Sequence, residues 1–86
     1  MNLQELRDEI DSIDESLIEL FRKRMELSKK VAEYKKQHDL PVYDPVREEG
    51  ILEKLSAKAG KEQEEAIREL YTLIFKLSRA VQENEK

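Results

Sequence analysis

The stretch LQELRDEIDSIDESLIELFRKRMELSKKVAEYKKQ, residues 3–37, decides the fold. Written as heptads with Leu3 at position a, it puts Leu3, Ile10, Leu17, Arg24 and Val31 at a, and Leu6, Ile13, Leu20, Leu27 and Tyr34 at d. Nine of these ten seam positions are apolar or aromatic, a regularity that a disordered chain of similar charge does not supply. The spacing predicts one helix over about residues 3–37. Asn2 and Glu5 form a capping box at its start, each side chain able to reach the other's orphan N–H. Such a helix is roughly 50 Å long, whereas a compact globule of this chain length is about 30 Å across. A helix that outruns its own domain with an apolar seam in water needs a partner. It is either a coiled coil or one half of a dimer in which long helices pack on partner helices, and the seam alone does not separate the two.

The rest of the chain is punctuated clearly. Pro41 pushes Leu40 away from helical angles and ends the first helix before it. Asp44-Pro45 reads as an N-cap followed by proline at the first helical position. A second helix follows over about 45–58, with Ile51, Leu52, Leu55 and Ala59 on its buried line and Glu48 on the same face. Gly60 is a natural stop. A third helix over about 62–84 has carboxylates in its first turn, where the helix dipole favours them. Its apolar stripe is Ile67, Leu70, Ile74, Leu77 and Val81. The expectation is an all-α chain of three helices (long, short, medium) forming a single domain over residues 1–86.

Composition removes whole classes of chemistry. The 86 residues hold 16 Lys+Arg and 20 Asp+Glu for a net charge of −4, with one His and no Cys. No disulfide, Cys-ligated zinc or thiol nucleophile is available. One histidine argues against a multi-His metal site or a Ser-His-Asp triad. The negative balance argues against binding a nucleic-acid backbone. No apolar run approaches the ~18 residues of a membrane span, and the N-terminus lacks a signal-peptide pattern. A cytoplasmic protein is expected.

The informative residues break the apolar pattern. Arg24 occupies an a position between Leu17 and Val31, where a cation is costly unless an anion meets it. It is either a register-setting or snorkelling residue or part of an anion site. Arg7 and Lys35 stand beside the seam at e positions, where interhelical salt bridges are the ordinary role. Arg24 and Lys35 are eleven residues apart, roughly 16 Å of axis, so two long side chains could grip opposite ends of a small ligand. Arg7 lies about 25 Å from Arg24 along the axis and reaches that ligand only from a partner helix. A shared anion site and a dimer therefore imply one another. Arg47 and Glu48 follow the Asp44-Pro45 cap, and arginine is unfavourable near a helix N-terminus. Ser78 and Gln82, one turn apart, are either a polar edge or ligand contacts. Together these residues suggest a small, anionic, oxygen-rich ligand. No nucleophile–base pair is evident, so any catalysis would come from positioning and electrostatics.

At this level of detail the chain resembles the all-helical class of chorismate mutases. The resemblance runs from Leu6-Arg7-Asp8-Glu9-Ile10-Asp11 through Arg24-Met25-Glu26-Leu27 and Val31-Ala32-Glu33-Tyr34-Lys35. It continues through Pro41-Val42-Tyr43-Asp44-Pro45-Val46-Arg47-Glu48 to the Ser78 and Gln82 pair. It implies an intertwined helical homodimer that rearranges chorismate to prephenate, a step toward phenylalanine and tyrosine, with no cofactor and no covalent intermediate. It also implies roles. Arg24 and the partner's Arg7 would pair with the two substrate carboxylates, and Ser78 would assist at one of them. Lys35 and Gln82 would donate to the ether oxygen, whose negative charge grows as its bond to carbon lengthens. Glu48 and the backbone near Asp44 would hold the ring hydroxyl, and Arg47 would orient Asp44 and Glu48. Some relatives carry a glutamate at the position of Gln82, which must be protonated to donate. Two rivals stand beside this reading: isochorismate-pyruvate lyase, a similar helical dimer, and a non-catalytic helical dimerisation module in which Arg24 only sets register.

Overall fold

Side-chain caps start the first two helices, and a backbone turn closes the first. A computed structural model describes residues 1–84 as α1 (Leu3–Gln37), α2 (Pro45–Ala59) and α3 (Glu64–Asn84). Residues 85 and 86 of the expected domain lie outside the described residues. Asn2 caps α1, its side-chain oxygen accepting from the Glu5 N–H at 2.8 Å. The return half of the capping box runs from Asn2 Nδ2 to Glu5 Oε1 at 3.5 Å instead of to the backbone.

α1 closes in a Schellman turn. The Leu40 N–H donates to the Lys35 carbonyl at 2.8 Å and the Asp39 N–H to the Lys36 carbonyl at 3.5 Å. Asp39 stands in the left-handed region between them, with φ 53°. Asp44 caps α2 with Pro45 behind it, and the Arg47 N–H donates to Asp44 Oδ1 at 3.1 Å. α2 runs one residue past the expected end, to Ala59, and Gly60 stops it with φ 86° and ψ 164°. α3 starts two residues later than expected. The Gln63 N–H donates to the Gly60 carbonyl in a turn, and the first α-helical bond runs from Ile67 N–H to the Gln63 carbonyl.

α3 is the central element. It runs parallel to α1, with Ser78 beside Ser28 and Phe75 beside Arg24. It runs antiparallel to α2, so that Glu48 near the start of α2 meets Arg79 near the end of α3. α1 and α2 both pack on α3 and not on each other. The chain extends 54 × 26 × 15 Å, with a radius of gyration of 16.0 Å against roughly 12 Å for a compact globule of this length.

The sequence left open which face of α1 meets α3, and the expected stripe on α3 needs correction. The α1 seam is not the surface that α3 covers. Ser28 and Ala32 are buried there, while Leu27 and Tyr34 remain more than half exposed. Small side chains let the α1 and α3 backbones approach, and the larger seam residues point elsewhere. On α3 the buried line is Phe75, Ser78 and Gln82, whereas Leu70 and Leu77 of the expected stripe turn outward, with 47% and 40% of their surface exposed. α3 is held between two helices, so its covered sides are set by α1 and α2, not by its most apolar edge. All of residues 3–22 is exposed, including Leu3, Ile10, Ile13, Leu17 and Leu20.

Candidate functional site

Seven of the eight residues singled out in the sequence line one cavity of about 320 Å³: Arg24, Lys35, Asp44, Arg47, Glu48, Ser78 and Gln82. They come from all three helices and the loop before α2. The eighth, Arg7, is on the exposed N-terminal part of α1 and does not reach this cavity from its own chain.

The cavity is electropositive. Arg24, Lys35, Arg47 and Arg79 line it against two carboxylates, Asp44 and Glu48. Arg24 is half-buried with its guanidinium carbon 5.8 Å from the Phe75 ring centroid, a cation–π contact. Among the described residues neither Arg24 nor Arg47 makes an ion pair. A half-buried cation without a counter-ion is the environment an anionic ligand relieves.

Lys35 is aimed by the loop. Its Nζ donates to the Val42 carbonyl at 2.8 Å, and Val42 itself is buried. One of the three ammonium donors is used there, leaving two for the cavity. The Pro41-Val42 segment thus fixes the direction of the lysine through a backbone oxygen.

A hydroxyl relay crosses from α1 to α3. Ser28 Oγ donates to the Arg24 carbonyl at 3.1 Å, which commits its only proton. The Ser28–Ser78 contact, 2.6 Å between oxygens, is then donated by Ser78. Gln82 Nε2 donates in turn to Ser78 Oγ at 3.4 Å. Ser78 and Gln82 are 7% and 8% exposed, so they are not a solvated edge. Gln82 Oε1 is buried with no hydrogen-bond partner. Such a group is costly to leave alone, and it belongs to a cavity that offers room for one.

The carboxylates are held differently from the sequence expectation. Asp44 accepts from the Arg47 N–H, as a helix cap. Glu48 is gripped by Arg79 Nη1, 2.6 Å from Oε1 and 2.5 Å from Oε2. Arg79, not Arg47, contacts the Glu48 carboxylate.

Sequence reasoning missed Arg79 and Ser28. The signal for Arg79 was present: Phe75, Ser78, Arg79 and Gln82 fall at i, i+3, i+4 and i+7, one helical face. A search for an apolar stripe passes over that face because three of its four members are polar. Among the described residues no three His, Asp or Glu cluster as a metal site, and no helix is long and apolar enough to cross a membrane.

Fold and cavity together define an all-helical protein whose three helices bring cations and neutral donors to one electropositive cavity. The family model for chorismate mutase type II matches residues 6–83. A solved chorismate mutase (form II) from Thermus thermophilus superposes with a TM-score of 0.89 at 35% identity, covering 94% of this chain and 93% of that one. The T-protein of Haemophilus influenzae is 49% identical over 59 residues, 69% of this chain and 16% of that protein. A chorismate mutase of Methanocaldococcus jannaschii is 42% identical over 53 residues, 62% of this chain and 54% of its own length. The chain belongs to the chorismate mutase type II family. It spans about a sixth of the Haemophilus protein that it matches.

Proposed function

We propose that this chain, as one domain over residues 1–86, is a chorismate mutase that converts chorismate to prephenate as a homodimer. The observation that carries the reading is the convergence of Arg24, Lys35, Asp44, Arg47, Glu48, Ser78 and Gln82 on one cavity. The chemistry fits those residues. The rearrangement breaks a C–O bond as a C–C bond forms, within one molecule, so nothing needs to attack or to hold an intermediate. What is needed is a folded-up substrate and donors at the oxygen that gains charge.

Arg24 takes one substrate carboxylate, since a guanidinium fork matches a carboxylate bidentately. The partner's Arg7 takes the other, and Ser78 assists by turning its hydroxyl proton from Ser28 to the substrate. The two unused donors of Lys35 and the free N–H of Gln82 serve the ether oxygen. Each preorganised donor of this kind is worth about 3 kcal/mol in a site closed to water. Glu48 accepts from the ring hydroxyl, beside the backbone at Asp44, and Arg47 adds positive potential. No cofactor takes part, and the same reading carries a cytoplasmic setting.

The dimer has independent support. Residues 3–22 leave Leu3, Leu6, Ile10, Ile13, Leu17 and Leu20 exposed along one helix. Most helical stability in proteins comes from packing of an amphipathic face, and this face is uncovered in the single chain. A second copy laid antiparallel along it covers the apolar side and carries Arg7 to the other chain's cavity.

The test is direct. Purified protein is mixed with chorismate, and loss of chorismate and appearance of prephenate are followed together. The expected result is turnover far above the spontaneous rate. A folded, dimeric protein that leaves that rate unchanged would overturn the proposal.

A further inference from the structure

Glu48 is held from outside its own helix. Arg79 of α3 bridges both carboxylate oxygens through one nitrogen, and its guanidinium carbon lies 5.0 Å from the ring centroid of Tyr43 in the loop before α2. Loop, α2 and α3 thus meet in one stack of ring, guanidinium and carboxylate. Both charged side chains are mostly covered, 33% and 23% exposed. Arg47, next to Glu48 in the sequence, forms no ion pair with it.

From this geometry we infer that Arg79 is the positioning residue of Glu48. It aims the carboxylate at the substrate hydroxyl and keeps it away from Arg24 and Arg47. The inference rests on the chorismate mutase reading of the cavity. The physical need is specific. Glu48 and the unpaired cations Arg24 and Arg47 line the same space, and a free carboxylate there would compete with the substrate's own carboxylates for those cations. A terminal carboxyl torsion is broad, so helix geometry alone does not hold its direction. Arg79 approaches both oxygens from the α3 side through a single nitrogen, Nη1. A carboxylate has about four acceptor sites, so some remain for the hydroxyl. Stacking on Tyr43 limits where the guanidinium can move.

The experiment is a double-mutant cycle on the full chain, with Arg79→Met, Glu48→Gln, both together, and Arg79→Lys. Expected is a fall in kcat/KM of about 10–100-fold for Arg79→Met, the cost of a misplaced contact. KM should rise more than kcat falls, because the hydroxyl is not at the bonds that change. In the Glu48→Gln background, Arg79→Met should cost no more than about threefold, since the residue it acts through is already neutral. Arg79→Lys, which keeps a cation for the carboxylate, should retain more activity than Arg79→Met. Helicity by circular dichroism shows that the variants are folded, and Arg79→Lys completes the cycle if Arg79→Met is not. Equal losses in both backgrounds would overturn the inference and make Arg79 a direct ligand or a general support of the fold. A wild-type chain without mutase activity would overturn the functional reading itself, and the inference with it.

Discussion

Subunit complementation is the sharpest test of a cavity completed by a second chain. Arg7 and Arg24 are seventeen residues apart on one straight helix, about 25 Å along its axis. Extended arginine side chains do not close that gap toward one small molecule, so a site using both must draw them from different chains. On the proposed reading, Arg7→Ala and Arg24→Ala each remove one charge-assisted contact to a substrate carboxylate. At about 3 kcal/mol per contact each homodimer should keep about 1% of wild-type activity or less. Mixing changes the arithmetic. In a heterodimer, the Arg7→Ala chain still has Arg24 and receives Arg7 from its partner, so one site is complete, while the other lacks both arginines. Equal amounts exchanged at random give about half heterodimers, each with one working site of two, hence about a quarter of wild-type activity under two-fold symmetry. The assay mixes the purified variants and allows exchange, which is verified by native mass spectrometry of a size-tagged chain. Chorismate consumption is then followed. Activity rising from about 1% toward a quarter supports the shared site. Verified heterodimers that stay at the parental level refute the reasoning from helix length.

Three further outcomes follow from particular contacts. Lys35→Ala removes the cation aimed by the Val42 carbonyl and should lower kcat about 100-fold or more with helicity unchanged by circular dichroism; near-normal turnover would mean the ether oxygen lies elsewhere. Gln82 donates through an amide that does not titrate, so kcat should show no steep fall above about pH 6; a pH profile with such a fall would remove Gln82 from that role. Gly60 ends α2 at φ 86° and ψ 164° with open space around its α-carbon, so Gly60→Ala should cost about 1–3 kcal/mol through the backbone alone; an unchanged midpoint in thermal unfolding at fixed protein concentration would show that the turn relaxes.

Local signals read well where one residue type has one physical use. Asn2 and Asp44-Pro45 were legible as caps because short polar side chains satisfy orphan N–H groups, and Gly60 as a stop because it tolerates positive φ. The candidate site was legible for a different reason: Arg24 in a seam and Glu48 on an apolar line are expensive without a counter-charge. Arg79 supplies one for Glu48, and among the described residues no ion pair supplies one for Arg24. On α2 the expected line of Ile51, Leu52, Leu55 and Ala59 is the half-buried side, but the faces that α1 and α3 bury were not legible. Periodicity finds the apolar side of α1, but Ser28 and Ala32 are what α3 covers, since close backbone approach selects small residues. Arg79 escaped because its partner is thirty-one residues away on another helix, and no local pattern announces that pairing. The aim of Lys35 escaped because its acceptor is a backbone carbonyl, which every residue possesses.

The two ends of α1 have different jobs, and their separation explains its length. Residues from Arg24 to Lys35 touch α3 or line the cavity. Residues 3–22 do not line it and expose the most regular part of the heptad. Had the seam served only to stabilise this chain, the N-terminal apolar residues of the helix would not stand exposed. Its extra turns have value only against another surface, and on the proposed reading that surface is the matching stretch of a second copy. The apolar residues that bind the partner then share a helix with Arg7, at a separation fixed by helical rise. Association places the arginine with no loop to order and no hinge to close. The entropy of holding that cation is met when the helices pack, before substrate arrives, which is what preorganisation requires of a site that works by electrostatics alone.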